Sequence, residues 1–313
     1  MTALLWGLPG DSTLAAVHAE LIRLDVPLLF VDQRLVLDTT VELNVGKTVE
    51  GTVRIGDTAA DLATIGAAYL RPHDGARVAA VRDQPPGSPA WRHTQEVGDV
   101  LSAWAELTPA YVVNRPSASA SNGSKPAQLR DIAAVGFAVP ETLVTNDPAA
   151  VAEFSAAHDS VIYKSTSGIR SRVRCLADDI PLEDVRSCPT QFQRKVPGTD
   201  VRVHVVGAEI FATRIRSDAD DYRYAARQGL PRPRLSTTDV PDDVADRCRL
   251  LTSRLGLAVA GIDLRVTPEG EWFCFEVNPS PAFLYYEYGT GQPIATAVAG
   301  LLAAAVTCAQ VTR

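Results

Sequence analysis

At 313 residues and 46% hydrophobic side chains, the chain is long enough for two or three subdomains, each with a core of its own. A formal net charge of -7 with 21% charged residues gives no basic field to draw it onto nucleic acid or an anionic membrane, so neither is expected as a partner. The five cysteines, Cys175, Cys188, Cys248, Cys274 and Cys308, are scattered, odd in number and free of any Cys-x-x-Cys or Cys/His cluster, which reads as reduced thiols of a cytoplasmic protein.

The opening "MTALLWGLPGDSTLAAVHAEL" has no basic leader, and Gly7, Pro9 and Gly10 break its apolar run, so no signal peptide is expected. "ALLWGL" reads as a strand, Asp11 or Ser12 caps a helix through Leu24, and "VPLLFVD" is a second strand, a βαβ start. "VELNVGKTVEGTVRIG" predicts a hairpin and "GAAYLRP" a strand. A helix over residues 89–107 carries Trp91, Val97, Val100, Leu101 and Trp104 at helical spacing and leads into the strand "AYVVN". "RPSASASNGSKP", rich in Ser, Asn, Gly and Pro, marks a junction. Beyond it come a helix "AQLRDIAAVG", a strand "PETLVT", a capped helix "NDPAAVAEFSAAH", and strands "SVIYKS" and "VRCLA" around a Gly/Ser/Arg loop. From Thr190 the pattern is mostly strands, then one helix, a hairpin and a terminal helix. That last segment, "IATAVAGLLAAAVTCAQ", is short for a membrane span and reads as a packed helix. The expected division is residues 1–115, 116–190 and 191–313, an α/β (α+β) protein.

The hairpin carries the chemistry. "VAGIDLRV" and "EWFCFEVN" flank "TPEGE", and a turn symmetric about Glu269 and Gly270 sets Asp263 opposite Glu276 and Asn278 opposite Gly261. Ile262, Leu264, Phe273 and Phe275 are expected on the other face. Facing carboxylates repel unless something positive lies between them. A hard divalent cation such as Mg²⁺ would resolve the conflict, with Asn278 adding a neutral oxygen on the same face. An exposed acidic face in water and a proton-sharing acid pair are the competing readings.

A Mg²⁺ site of this kind is usually completed by a polyphosphate. Lys164 stands inside a strand, and "STSGIRSR" after it supplies Ser167, Gly168 and approachable backbone N–H groups, as phosphate-covering loops do. A plain hairpin connection has the same composition. Lys125, just before a helix, is a weaker candidate. Neither G-x-x-x-x-G-K-[ST] nor a first-strand G-x-G-x-x-G is present.

Lys125, Lys164 with its loop, "QFQRKVPGTDVRVHVVG", and Asp263, Glu276 and Asn278 occur in an order that resembles the ATP-grasp ligases, from about Asn114 to the C-terminus. "VNRP…SKPAQLRDIAAVGFAVPETLVTNDP", "PTQFQRKVPGTDVRVHVVG" and "SDADDYR" are most similar to the maturases of graspetides, the microviridin-type ribosomal peptides, and next to the ribosomal-protein glutamate ligases. The resemblance implies an ATP-grasp fold behind an N-terminal pre-ATP-grasp α/β domain, with residues 116–190 as the lid and 191–313 bearing the metal site. It implies ATP phosphates on Lys125 and Lys164, and a hinge, Gln193, Arg194, Lys195 and Val196, whose backbone reads adenine. Two Mg²⁺, or Mn²⁺ in their place, would sit on Asp263, Glu276 and Asn278, with Arg202 and Arg216 facing the γ-phosphate and acyl phosphate. Basic Arg194 and Lys195 depart from the acidic or aromatic hinges common in that family, as does "PSPAFLYYEYGTG" after the metal strand.

The chemistry so implied is carboxylate activation by ATP, then attack by an amine or hydroxyl to give an amide or ester, with ADP and phosphate released. The substrates would be a carboxylate and an amine or hydroxyl, on a ribosomal precursor peptide or on small amino acids; a non-catalytic ATP-binding module is the alternative of another class. Arg71, Arg170, Arg172 and Arg223 are candidates for holding the substrate carboxylate. Tyr286, with its tyrosine neighbours, is a candidate for the acceptor pocket. Surface ion pairs and an aromatic plug are the plain alternatives. His204 shares the face of Arg202 and reads as structural. No protein nucleophile is expected, and the family implies a homodimer.

Overall fold

The computed structural model describes residues 1–166, 173–177, 180–219 and 221–311. Its first sheet grows from an uncharged apolar run: β1 (Thr2–Gly7) buries Ala3, Leu4, Leu5 and Trp6 in succession, as a strand covered on both faces must. Asp11 starts α1 (Ser12–Arg23) by accepting the Leu14 N–H at 2.9 Å, and β2 (Leu28–Asp32) returns parallel to β1. An antiparallel three-stranded sheet follows, β3 (Thr39–Val45), β4 (Val49–Ile55) and β5 (Thr58–Asp61). β6 (Ile65–Arg71) rejoins the first sheet. α2 (Pro89–Leu107), capped by Ser88 with Pro89 in its first turn, leads to β7 (Tyr111–Val113), giving the parallel order β2-β1-β6-β7.

The segment expected to be an irregular junction is partly helical. Pro116 opens α3 (Pro116–Ser119), and Ser124 caps α4 (Lys125–Ala134). Ser and Pro start helices as readily as they break them, so composition alone does not tell the two apart. β8 (Thr142–Thr145), α5 (Pro148–Ala156), β9 (Val161–Ser165), β10 (Arg174–Cys175) and β11 (Thr190–Arg194) then form an antiparallel sheet, order β10-β9-β11-β8. Val151 of α5, Val161 and Phe192 pack on one of its faces.

The last sheet contains β12 (Thr199–Val206), β13 (Glu209–Arg216), β14 (Arg234–Thr237), then, after α6 (Asp242–Arg254), β15 (Val259–Val266) and β16 (Trp272–Asn278), in the order β14-β13-β12-β15-β16. Its core face packs Val201, Val203, Ile262, Leu264 and Val277 against Val244, Cys248 and Leu251 of α6 and Leu129 and Ile132 of α4. α7 (Leu284–Thr290) and β14 have no counterpart in the sequence reading. α8 (Ile294–Val311) is apolar and long enough to cross a membrane by composition. Its Val298, Leu302 and Val306 instead join Leu5, Ala67 and Tyr69 of the first sheet in one core.

Candidate functional site

The hairpin β15/β16 pairs Asp263 with Glu276 and Gly261 with Asn278, as expected. The tip differs from expectation: Val266 pairs with Trp272 and Arg265 with Phe273, which centres the turn on Glu269, with Gly270 at φ +90. A bulge beyond Asp263 restores the register. One extra residue inverts the alternation past it, so Phe275 is not on the core face with Ile262 and Leu264. It lines the cleft beside Asp263 and Glu276, and Cys274 and Val277 take the core positions.

Each acid of the pair has its own cation. Arg202 Nη1 donates to Asp263 Oδ1 at 2.6 Å, and Lys125 Nζ, in the first turn of α4, lies 3.3 Å from Glu276 Oε2. Gly261 is what admits Arg202, because a Cβ there would overlap the guanidinium. Burial raises the Asp263 carboxyl above its ordinary value against the opposing pull of Arg202. Burial acts on Glu276 in the same direction, but Lys125, Lys164, Arg223 and Arg202 outweigh it and hold that carboxyl below its ordinary range. Asn278 Oδ1 accepts the Ser280 N–H at 2.9 Å, which orients the amide with a lone pair to spare.

This all-oxygen donor set of two carboxylates and an amide suits a hard divalent ion. Among the described residues no group of three or more His, Cys, Asp or Glu could hold a metal by itself. The residues therefore fit Mg²⁺ held jointly with oxygens from a ligand such as a polyphosphate.

The facing wall is the β9/β11 sheet. Lys164 is paired in register with Gln191, and Ile162 with Gln193; these side chains lie on the face opposite Phe192. Lys164, Ile162 and Gln193 line the same cleft as Lys125, Asp263, Phe275 and Glu276. Burial, reinforced by the charge of Lys125, pushes the Lys164 ammonium down to about 8 against the pull of Glu276. Both amide atoms of Gln191, which is fully buried, and Oε1 of Gln193 lack a hydrogen-bond partner.

The hinge residues diverge. Arg194 and Lys195 donate their N–H groups to Glu141 O and Ser160 O as part of the sheet, and the Val196 carbonyl accepts from Arg265 at 2.8 Å. The Arg194 guanidinium turns onto Phe273, 5.6 Å from the ring centre, while Lys195 lines the cleft with Nζ 3.2 Å from Cys175 Sγ. Ser167, Gly168, Arg170 and Arg172 lie outside the described residues.

Two expected arginines are placed elsewhere. Arg216 is exposed and, by alternation along β13, lies on the face opposite Thr213, the register partner of Arg202; the structure does not bring it into the cleft. The Arg71 guanidinium is already engaged through Nε and Nη1. It contacts both Asp11 carboxylate oxygens at 3.2 Å, Ser280 Oγ at 3.0 Å and Pro281 O at 3.2 Å.

Asn114 works alongside Arg71. Its Nδ2 donates to Val259 O and Pro279 O at 2.6 Å each, and its Oδ1 accepts from Ala258 N at 2.8 Å. The two side chains thus pin both ends of the metal-site hairpin from the ends of β6 and β7.

Arg223 does reach the cleft, paired side-on with Asp221 at 2.8 Å. With Tyr222 it separates the cleft from a second cavity of about 390 Å³, whose wall includes Arg232, Tyr285 and Tyr286. Tyr286 is buried, its hydroxyl 2.8 Å from that of Tyr222 and its ring 4.9 Å from that of His204. Burial and then Arg202 depress the His204 imidazole well below its ordinary value, which suits a neutral packing residue. Asp200, Asp221, Tyr222, Asn114 and Arg265 were missed. The stretches "GTDVR", "DDYR" and "VNRP" carried the signal for the first four, and the hairpin strand "VAGIDLRV" holds Arg265.

A parallel α/β sheet followed by two antiparallel sheets facing each other across a cleft of lysines and paired acids is the architecture of the ATP-grasp ligases. The chain shares that fold. No family model matches it.

Among solved structures it is similar to the macrocyclase MdnC bound with precursor peptide MdnA from Microcystis aeruginosa (TM-score 0.81, 22% identity, 96% of this chain and 99% of that one). It is also similar to the ATP-grasp ligase PsnB complexed with minimal precursor, Mg and ADP (TM-score 0.78, 27% identity, 97% of each chain). Among curated proteins it is similar to the human Beta-citrylglutamate synthase B, 26% identical over 221 residues, 64% of this chain. A Probable alpha-L-glutamate ligase of Histophilus somni is 28% identical over 177 residues, 51% of this chain. The matched regions span 55% and 56% of those two relatives.

Proposed function

We propose that the chain is an ATP- and Mg²⁺-dependent ligase that activates a carboxylate as an acyl phosphate and joins it to an amine or hydroxyl within a peptide. The observation that carries this reading is the cleft itself, where Lys125 and Lys164 converge on the opposed pair Asp263 and Glu276. Similarity over nearly the whole chain to ligases solved with precursor peptides supports a peptide as the substrate.

In this reading Lys164 and Lys125 hold the phosphates, and Asp263, Glu276 and Asn278 hold Mg²⁺, which supplies neutralisation of phosphoryl charge when bound. Arg202, fixed by Asp263 and backed by Tyr286, and Arg223 present guanidinium groups to the transferring phosphoryl oxygens and the substrate carboxylate. The carboxylate takes the γ-phosphoryl group and ADP departs. An amine or hydroxyl then attacks the acyl carbon and phosphate leaves. The cavity behind Tyr222 and Arg223 is where we place the acceptor segment. We also propose that residues 1–115 form the pre-ATP-grasp unit and that the central unit, expected to end at residue 190, runs on through β11 to Arg194. Similarity to glutamate ligases favours a second reading, a ligase for free amino acids.

The test uses purified protein, ATP and Mg²⁺ with a panel of free amino acids and of peptides rich in Thr, Ser, Lys, Asp and Glu encoded beside the gene, with Glu276→Gln as control. A peptide that loses one water mass as ADP is released supports the first reading. Release driven by a single amino acid moves the assignment to the second. A protein that fails to bind ATP sinks both.

A further inference from the structure

β16 is the edge strand of the last sheet, so one side of its backbone has no strand beside it. In an antiparallel ladder successive residues turn their N–H and C=O groups to alternate sides, and Val277, which is fully buried, turns its pair away from β15. Buried backbone groups need partners. Gln128 of α4 supplies both: its Nε2 donates to Val277 O and its Oε1 accepts from Val277 N, each at 2.8 Å. A primary amide presents a donor and an acceptor side by side as a peptide does, so one side chain takes the place of a neighbouring strand. The two bonds also fix which way the amide faces, since reversing it would set donor against donor and acceptor against acceptor.

Val277 separates Glu276 from Asn278, the two oxygen donors that β16 gives the metal site. Its side chain lies in the core, so theirs stand on the other face. Gln128 is 2% exposed and follows Lys125 by one helical turn on the same face of α4, and Lys125 Nζ lies 3.3 Å from Glu276 Oε2. α4 therefore grips β16 twice, its backbone through Gln128 and its carboxylate through Lys125. We propose that Gln128 is a positioning residue of the ligase site: by clamping Val277 it holds Glu276 and Asn278 in register with each other, and so sets how strongly Mg²⁺ and nucleotide favour each other's binding. It touches neither metal nor substrate. The proposal rests on the ATP and Mg²⁺ reading above and adds to it what keeps the donor set in place.

The probe is ADP, titrated by calorimetry at a series of Mg²⁺ concentrations. Gln128→Met, of similar length but without the two hydrogen bonds, should raise the Mg²⁺ concentration that half-saturates the gain in ADP affinity about tenfold, the usual effect of removing a group that orients a metal ligand. Without Mg²⁺ the variant and wild type should bind ADP alike. Gln128→Asn, which keeps the amide on a shorter stem, should fall between the two and serves where the Met variant does not fold. The control is Leu129→Ala, which removes packing from the next residue of α4 and lowers the melting temperature without touching the Val277 hydrogen bonds; its Mg²⁺ requirement should match wild type. Gln128 variants with the wild-type Mg²⁺ dependence overturn the proposal, as does a loss of ADP affinity that is the same with and without Mg²⁺. An equal rise in Leu129→Ala also overturns it, by reducing Gln128 to a general support of the core. In each of these cases wild type still binds ADP with Mg²⁺ and the ligase reading stands; wild type that binds no nucleotide removes both.

Discussion

The two walls of the cleft treat their polar groups in opposite ways. On the β12–β15–β16 wall the charges are matched: Arg202 with Asp263, Arg265 with Asp200, Arg223 with Asp221, and Lys125 of α4 with Glu276. On the β9/β11 wall Gln191 and Gln193 Oε1 have no partner, and Lys164 is held down toward neutrality by burial. Matched charges hold one wall in shape before a ligand arrives. Unmatched groups store an unfavourable term that a ligand relieves, so binding energy and folding stability are separated in space.

The largest break is Glu276→Gln, which leaves Lys125 facing a neutral amide and removes an oxygen from the donor set. ADP release should fall about 10²–10³-fold, while ADP binding without Mg²⁺ holds or tightens because a negative charge has gone. Turnover within a few-fold of wild type would separate the matched wall from the chemistry.

Next in size is the pH dependence set by Lys164, at about 8 in the fold against an ordinary 10.5. Below pH 8 folded and unfolded chains both carry the proton, and the fold bears the cost of a buried charge. From 8 to 10.5 the unfolded chain binds more protons, so stability rises with pH, by at most about 3 kcal/mol. Lys164→Met should therefore melt higher than wild type at pH 7, and its advantage should shrink as pH rises through 8. Saturating ADP should reverse the order at pH 7, because phosphates favour the ammonium in wild type. An advantage that does not change with pH would mean that Lys164 is not strained.

Arg71→Ala tests whether the matched wall depends on the N-terminal sheet. Losing the contacts to Asp11, Ser280 and Pro281 should cost about 2 kcal/mol of stability. It should also lower turnover about tenfold by loosening the loop that orients Asn278. The Mg²⁺ concentration for half-maximal rate should rise, with Mg²⁺-free ADP affinity unchanged. An unchanged Mg²⁺ requirement would confine Arg71 to folding.

The asymmetry also explains what could be read from the sequence. The acid pair was legible because β15 and β16 alternate around a short turn, although the register at the tip was off by one and a bulge at Phe275 restored the pairing. That bulge was invisible, and so Phe273 and Phe275 both went to the wrong face. Lys164 was legible as a lysine inside an apolar strand. Arg71 was not, since its partners Asp11 and Ser280 lie 60 and 209 residues away and only the fold brings them together. Arg216 could not be placed from spacing: alternation puts it on the strand face opposite Thr213, yet it lines a cavity next to the cleft with Lys195, Asp200 and Arg265. β14 and α7 were too short and mixed to announce themselves.

The smallest predicted effect has the most unusual sign. Gln191 is fully buried on β11, cross-strand from Lys164, with neither amide atom paired. In the nucleotide-free protein its desolvation is uncompensated, so Gln191→Leu should stabilise the fold by about 1 kcal/mol, a rise of roughly 2 °C in melting temperature for a chain of this length. A structural amide would behave in the opposite way. If the unmatched wall is kept for a ligand, the same substitution should reduce the increase in melting temperature produced by ADP, so that the variant starts above wild type and gains less. A variant that melts lower than wild type without nucleotide would show that Gln191 is already satisfied in solution, and the contrast between the two walls would then rest on Gln193 and Lys164 alone.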